Sequence, residues 1–258
     1  MVVKVVYTLE QKIGNGNRTF ADMDCSWWDP ENRETDGRYF TLQWMFNSVQ
    51  DKMPDGQGHL ALDVGAGRGR YTKLLCDKGY EVVCTDINPE MLGIIAKRGI
   101  PSKRYVADAE NLPFESEHFD LVTAMDITMH IHNTEKLLRE IHRVLKPSGE
   151  LFVNISNGKS LYTLWTKKLN PKFRALQKNY LRKNFTPHEF KNLLNDSGFR
   201  ILSEHGHGVV SPLSLLPEWK GKIMPVNVAK YMSKNLGLDA RLGAKYGHVI
   251  DYHAVKLE

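Results

Sequence analysis

One stretch of the sequence decides the fold: Leu62-Asp63-Val64-Gly65-Ala66-Gly67-Arg68-Gly69-Arg70. An apolar run before it predicts a β-strand over residues 59–64, and RYTKLLCDKG after it predicts an amphipathic helix that ends at about residue 78. A strand, a glycine turn and a helix open a nucleotide-binding βαβ unit. Gly65 allows a sharp turn off the strand, and Gly67 allows a ligand to approach bare backbone.

The residues around this turn indicate which ligand it binds. A dinucleotide site needs a small residue three positions after the second glycine, and this chain has Arg70 there. Asp63 would repel a pyrophosphate but suits an ammonium or sulfonium group. Asp86 ends the next apolar run, at the right distance to accept both ribose hydroxyls. S-adenosylmethionine fits these features, while an NAD site and a purely structural glycine turn are the alternatives.

Strands and helices alternate through the centre of the chain, which predicts a doubly wound α/β fold with a parallel sheet. The predicted strands are residues 59–64, 80–86, 104–108, 119–126 and 150–156. Asn88 and Asn133 are predicted helix N-caps, and the helix after Asn133 is predicted to stop at residues 146–149. Four carboxylates end these strands: Asp63, Asp86, Asp108 and Asp126. Ligands of such sheets bind beyond the carboxyl ends of the strands, although each carboxylate alone is as typical of a turn.

Composition limits the class of protein. The chain has 258 residues, of which 41% are hydrophobic and 25% charged, which suits one α/β domain with appendages. Cys25, Cys76 and Cys84 have no metal-type spacing and predict reduced thiols in a cytoplasmic protein. The sequence has no apolar run as long as a membrane span, and residues 1–10 do not read as a signal peptide.

We interpret residues 1–258 as a single domain with four parts. Residues 1–58 form a helical lid, 59–157 the cofactor-binding core, 158–198 a helical insertion with the last core helix, and 199–258 the terminal strands with an insertion. Residues 186–189, Thr-Pro-His-Glu, predict a capping box. Residues 199–210 and 247–257 are predicted strands, the second of them an edge strand, and 211–245 are an irregular stretch rich in proline. Trp27, Trp28 and Tyr39 are predicted to line the substrate, with a plain packing helix as the alternative for the lid.

The insertion is unusually basic. Residues 159–183 hold eight Lys and Arg residues and no acid, together with apolar residues at helical spacing. A packed helix with a solvated basic face is one reading, and a surface for an acidic substrate, a phospholipid or RNA is the other. Trp165 is a further candidate substrate contact. The sequence has no recognisable RNA-binding module, so we expect a small or lipid-like substrate, with peripheral membrane contact as an option, rather than nucleic acid.

Four motifs carry a family resemblance. LDVGAGRGR, CTDINPEML, ADAENLPFESEHFDLVTAMD and REIHRVLKPSGELFVNI are similar to those of class I S-adenosylmethionine-dependent methyltransferases. Within that class they resemble the group that includes the ubiquinone and menaquinone biosynthesis methyltransferases. The resemblance covers residues 59–157 well and 186–206 loosely. It implies a Rossmann-like seven-stranded sheet whose last two strands form an antiparallel hairpin, with helical insertions.

The resemblance also implies roles for residues. Those assigned to the cofactor, whose product is S-adenosylhomocysteine, are Asp63, Gly65, Ala66, Gly67, Asp86, Ile87, Asp108, Ala109, Met125 and Asp126. Asp63, Gly65 and Gly67 would hold the methionine end of the cofactor. Met125 and Asp126 would face the same end. The carboxylate at position 86 would take the ribose, and residues 87, 108 and 109 would meet the adenine.

A catalytic base is predicted just past the fourth strand. MDITMHIHN is similar to a segment of ubiquinone-pathway O-methyltransferases in which a glutamate before the histidine helps to bind a metal. This chain has Met129 there, which argues against a metal-assisted mechanism, so no metal is expected. His130 is the candidate base, and His132 is second. A packing role for His130 is the alternative.

The function predicted from all this is methyl transfer from S-adenosylmethionine to a small or lipid-like molecule, at oxygen, by a monomer or homodimer. An RNA methyltransferase that uses residues 159–183 is one alternative. A non-catalytic cofactor-binding or interaction protein is another.

Overall fold

The computed structural model describes residues 37–160, 163–164, 183–209 and 237–258. The helices with described bounds are α1 (Gly37–Lys52), α2 (Arg70–Asp77), α3 (Pro89–Lys97), α4 (Thr134–Val144), α5 (Pro187–Asp196) and α6 (Leu238–Tyr246). The strands are β1 (Leu60–Val64), β2 (Glu81–Asp86), β3 (Ser102–Val106), β4 (Phe119–Ala124), β5 (Leu145–Ser156), β6 (Phe199–His207) and β7 (Val249–Lys256).

The strands form one seven-stranded sheet in the order β3-β2-β1-β4-β5-β7-β6. The first five are parallel to one another, and β7 is antiparallel to both β5 and β6. This confirms the predicted Rossmann-like sheet with an antiparallel C-terminal hairpin. Because β6 runs in the same direction as β5, the carboxyl ends of β1 to β6 lie at one side of the sheet, together with the start of β7. We call this side the carboxyl edge.

The predicted helix starts are confirmed in atomic detail. The Asn88 side chain accepts a hydrogen bond from the Glu90 N–H at 2.9 Å, and the Asn133 side chain accepts one from the Lys136 N–H at 3.0 Å. Thr186 and Glu189 form a complete capping box before α5. Each cap satisfies N–H groups that a helix leaves unpaired in its first turn.

Several predictions about the strands were wrong. β4 ends at Ala124 rather than Asp126, and β6 ends at His207 rather than at residue 210. β3 ends at Val106 rather than Asp108, because the Asp108 side chain and carbonyl accept N–H bonds from Glu110 and Asn111 and so form a turn. β5 begins at Leu145 rather than at residue 150, since Leu145 already pairs with Phe119 of β4 before an irregularity in the register. β7 is not an edge strand, because it lies between β5 and β6.

Helix α6 lies at the end of the proline-containing stretch, where no helix was predicted, and it packs unusually close to β6. A Cβ atom placed on Gly206 would lie 1.8 Å from the carbonyl oxygen of Gly243, and one placed on Gly243 would lie 2.1 Å from the carbonyl oxygen of Gly206. Only glycine at both positions allows this contact between backbones. The pattern-based reading missed the helix because this contact, rather than an apolar stripe, holds it on the sheet.

The core lies on both faces of the sheet. On one face α1 and α2 pack through Met45, Val49 and Leu75, with Phe152 of β5 beneath them. On the other face the apolar sides of α4 and α5 cover β4, β5 and β7. The helices cover the two faces of the sheet, so the loops at its carboxyl edge remain available to form a site.

We predict that Gly243→Ala lowers the free energy of unfolding by about 1–3 kcal/mol, because the added methyl group must push α6 away from β6. Gly93→Ala in α3 is the matched control, since a Cβ there has no atom within 4 Å and alanine is the better helix former. Urea unfolding of both variants measures the effect. Equal stability of the two variants would contradict the close contact.

Candidate cofactor and substrate site

The glycine turn between β1 and α2 has the backbone that the sequence predicted. Gly65, Gly67 and Gly69 have φ values of 68°, 52° and 83°, in the left-handed region that favours glycine. A Cβ on Gly65 would lie 2.5 Å from Ile127 Cδ1, whereas one on Gly67 would meet no atom within 4 Å. The backbone at Gly67 therefore faces open space, where a ligand could approach it.

Asp63 lies beneath this turn with 2% of its surface exposed. The Thr72 hydroxyl donates to Asp63 Oδ2 at 2.6 Å, and the Thr123 hydroxyl donates to Oδ1 at 2.7 Å. Burial raises the pKa of the Asp63 carboxyl to about 6, against the lowering effect of these hydrogen bonds. Asp63 thus joins β1, α2 and β4, and its contact with the methionine end of a cofactor stays a prediction.

Asp86 is fixed at the end of β2 by two backbone donors. The Gly67 N–H donates to Asp86 Oδ2 and the Asn88 N–H donates to Oδ1, both at 2.8 Å. Burial raises the pKa of the Asp86 carboxyl, and these hydrogen bonds oppose that rise. The glycine turn and the predicted ribose ligand are therefore in direct contact, and the remaining lone pairs of the carboxylate are available for hydroxyl groups.

The residues predicted to meet adenine lie next to Asp86 along the same edge. The Ala107 N–H donates to the Asp86 carbonyl at 3.1 Å, which brings the loop of Asp108 and Ala109 beside the end of β2. The side chain of Ile87 is 39% exposed, although it is a large apolar residue. An exposed isoleucine at this place is suited to packing on a flat base, and these roles stay predictions.

The end of β4 is held by a residue that the sequence reading missed. Asn154 Nδ2 donates to Asp126 Oδ1 at 2.9 Å, and the Asp126 N–H donates to Asn154 Oδ1 at 2.7 Å. Asn154 Nδ2 also lies 3.2 Å from Met45 Sδ of α1. The signal was available, because an asparagine inside the apolar run ELFVNIS must find buried partners. Met125, beside Asp126, is buried in the core beneath α1.

His130 lies at the same edge, in a 3₁₀ turn over Thr128–His130. The Thr128 hydroxyl donates to the Asn154 carbonyl at 2.6 Å, so Asn154 positions this turn as well. The side chain of Met129 is buried and its sulfur lies 3.8 Å from the Ser156 hydroxyl. The imidazole of His130 is half-buried, and its role as a base stays a prediction.

A histidine–aspartate pair lies farther along the carboxyl edge, and the sequence reading missed it. His207 Nε2, at the end of β6, lies 2.7 Å from Asp251 Oδ2 of β7, and both side chains are buried. The two residues are 44 positions apart in the chain, and no local pattern links them. Only the pairing of β6 with β7 brings them together.

Several predicted features fall outside the described residues. Trp27, Trp28, Cys25 and Trp165 lie there, as does most of the basic segment 159–183, and Tyr39 lies in α1 without a described side chain. Within the described part of the chain, Cys76 and Cys84 are free thiols and no three metal-ligating side chains are grouped. The described helices include none that is long and apolar enough to cross a bilayer.

Comparisons with known proteins agree with this geometry. A family model described as a methyltransferase domain matches residues 62–153. The ubiquinone/menaquinone biosynthesis C-methyltransferase UbiE of Shewanella oneidensis is 34% identical over 168 residues, which are 55% of this chain and 66% of that protein. An uncharacterised protein of Methanocaldococcus jannaschii is 32% identical over 154 residues, which are 59% of this chain and 69% of that protein. The chain belongs to the class I S-adenosylmethionine-dependent methyltransferases.

One further relative and two solved structures are also similar to this chain. The mitochondrial arginine-hydroxylase NDUFAF5 of Danio rerio is 34% identical over 154 residues, and this chain spans only 46% of its length. A chain of the complex between the Trm112 methyltransferase activator of Haloferax volcanii and a methyltransferase has a TM-score of 0.67 at 16% identity, covering 94% of this chain and all of that one. A methyltransferase of Thermotoga maritima has a TM-score of 0.61 at 22% identity and covers 88% and 93%. These structures share the fold.

The raised pKa of Asp63 gives a prediction about pH. An unfolded aspartate ionises near 3.8 and folded Asp63 near 6, so the folded state loses stability as pH rises from about 4 to 6. The loss is about 3 kcal/mol for a difference of about two pKa units. Asp63→Asn removes this decline. Urea unfolding at pH 4 to 7 measures the free energy of unfolding of both proteins. The free energy of the variant should therefore rise relative to that of the parent as the pH increases.

The exposed Asp77→Asn is the control for this measurement and should leave the pH dependence of the parent unchanged. Parallel stability curves for the parent and Asp63→Asn would show that Asp63 ionises normally in the folded protein.

Proposed function

We propose that this protein transfers a methyl group from S-adenosylmethionine to an oxygen atom of a small or lipid-like molecule. The observation that carries the proposal is the Asp86 carboxylate, held by the N–H groups of Gly67 and Asn88 at the carboxyl edge. This arrangement joins a backbone open to a ligand with an acceptor for two hydroxyl groups. It suits a nucleoside that carries an amino-acid tail, which is the cofactor of the family.

The residues have separate tasks in this reaction. The bound cofactor supplies an electrophilic methyl group on its sulfonium. Asp86 and the glycine turn orient the cofactor, and α1 over β1 and β5 excludes water on one side, which favours an in-line transfer between aligned groups. His130, at the end of β4, takes the proton of the acceptor hydroxyl. Residues 27, 28, 39 and 165 remain proposed substrate contacts.

The functions of similar proteins indicate the alternatives. The UbiE relative is a C-methyltransferase, the NDUFAF5 relative is an arginine hydroxylase, and one structural neighbour is in complex with an activator protein. Release of S-adenosylhomocysteine with an acceptor present distinguishes methyl transfer from binding without transfer. Tight, salt-sensitive binding of tRNA by the parent would favour the RNA alternative. A cytoplasmic location and a monomeric or homodimeric state stay predictions.

For the cofactor, we predict that Asp86→Asn weakens binding of S-adenosylhomocysteine by about tenfold or more. The amide keeps the shape of the carboxylate but loses charge-assisted hydrogen bonds to the ribose. Calorimetry on the folded variant measures the loss, with Asp77→Asn as a control whose affinity should match the parent. Unchanged affinity in Asp86→Asn, or tighter binding of NAD than of S-adenosylhomocysteine by the parent, would refute the assignment.

For the base, we predict that His130→Gln lowers kcat by about 100-fold or more and leaves cofactor affinity unchanged. The measurement is release of S-adenosylhomocysteine across pH 6 to 9 with an acceptor found in a panel of phenols and alcohols. His132→Gln, two residues away and exposed, is the matched control and should keep most of the activity. Normal turnover of His130→Gln at every pH would leave His130 with a packing role.

A further inference from the structure

Polar side chains from α2, β5, β7 and the loop after β4 lie on the face of the sheet that α1 covers. Asn154 of β5 and Asp251 of β7 are register partners, so their side chains lie side by side on this face. Asn154 bonds Asp126 at the end of β4. Tyr71, at the start of α2, packs its ring against Phe46 of α1 with centroids 5.7 Å apart. We call the place bounded by Tyr71, Asp126, Asn154 and Asp251 the Tyr71–Asp251 site.

Two buried polar atoms of this site have no partner among the described residues: the phenol oxygen of Tyr71 and Oδ1 of Asp251. Tyr71 is 6% exposed and Asp251 is 5% exposed, so water does not cover them freely. A buried polar group without a partner costs about 1–3 kcal/mol, and native proteins rarely leave one unexplained. The Asp251 oxygen accepts hydrogen bonds and the Tyr71 phenol oxygen can accept one as well, so together they fit a ligand group that only donates.

Asp251 is also held in one orientation. His207 binds its Oδ2 at 2.7 Å, and this contact directs the remaining oxygen away from His207. A fixed carboxylate loses less entropy when it binds a ligand. The pair does not belong to the proposed methyl-transfer chemistry, and the cofactor-binding residues of the glycine turn do not explain it.

The charges around the site favour a cation. Burial raises the pKa of the Tyr71 phenol, and the carboxylates of Asp126, Asp251 and the deeper Asp63 raise it further. Arg70 acts on Tyr71 in the opposite direction, and Lys52 of α1 is the facing cation at Asp251. Burial lowers the pKa of Lys52 and of the nearby His205, while the charge of Asp251 acts on both in the opposite direction and so favours a cation.

We propose that the Tyr71–Asp251 site binds a protonated amine of the methyl acceptor, with Asp251 Oδ1 as its acceptor and the Tyr71 hydroxyl as its polar neighbour. The substrate is then a small molecule with an amine at one end and the methylated oxygen elsewhere. The proposal rests on the proposed function for the identity of the ligand as acceptor. The site lies at the carboxyl edge and shares Asp126 with the predicted cofactor contacts, while its Asp251 lies two strands beyond β4, on the side away from Asp86.

The test compares three probes that share a phenol ring and differ in charge. Tyramine carries an ammonium group, 4-ethylphenol has no charge, and 3-(4-hydroxyphenyl)propanoate carries a carboxylate. Calorimetry on the full chain loaded with S-adenosylhomocysteine measures binding without turnover. We expect tyramine to bind about tenfold or more tightly than 4-ethylphenol, and the propanoate to bind most weakly.

Variants assign the preference to the site. Asp251→Asn should bring tyramine to the affinity of 4-ethylphenol, and Tyr71→Phe should weaken tyramine several-fold. Lys52→Gln should strengthen tyramine binding, because it removes the competing cation. If Asp251 served only as a partner of Lys52 and His207, Lys52→Gln would not strengthen the binding of tyramine. Asp77→Asn is the exposed control and should behave as the parent does.

Two results would overturn the proposal. One is equal or tighter binding of 4-ethylphenol or the propanoate, or no binding of any probe at millimolar concentration. The other is a tyramine preference that survives in Asp251→Asn. Failure of the proposed function is a separate result, since the protein would then bind S-adenosylhomocysteine and tyramine but release no methylated product.

Discussion

The structure depends on the two hydroxyl groups that bind Asp63. Thr72 lies on α2 and Thr123 on β4, so one carboxylate connects the first strand, the helix after the glycine turn and the neighbouring strand. This connection sets the position of the glycine turn relative to β4. Within that turn, the Gly67 N–H donates a hydrogen bond to Asp86. A buried carboxylate is costly, and here its cost is offset by holding three elements in one arrangement.

Local signals allowed much of the fold to be predicted. The caps at Asn88 and Thr186 need only a few neighbouring residues, and both are formed as predicted. Helix α6 could not be predicted in this way, because its position depends on a contact between Gly206 and Gly243 that no periodic pattern records. The place of β7 between β5 and β6 is also a long-range property that a strand's own residues do not show.

In the candidate site, too, some contacts follow from local motifs and others depend on the pairing of distant strands. Asp86 and the glycine turn lie in adjacent motifs, so their meeting could be expected from the βαβ pattern. Asn154, which holds both Asp126 and the turn of His130, comes from a strand in which the sequence analysis named no site residue. The pair of His207 and Asp251 needs the β6–β7 pairing before it exists. Sequence motifs therefore predicted that Asp86 and the glycine turn lie together, while the contacts of Asn154 and of Asp251 could be found only from the sheet.

The order of the last strands has a consequence for how the chain folds during synthesis. β6 precedes β7 in the chain, yet its partner in the sheet is β7 rather than β5. While β6 leaves the ribosome it has no strand to pair with, so its backbone groups stay exposed until residues 249–256 have been made. Such delayed pairing is slow and open to aggregation. Nascent chains that stop before residue 249 should therefore be the forms that chaperones bind most strongly.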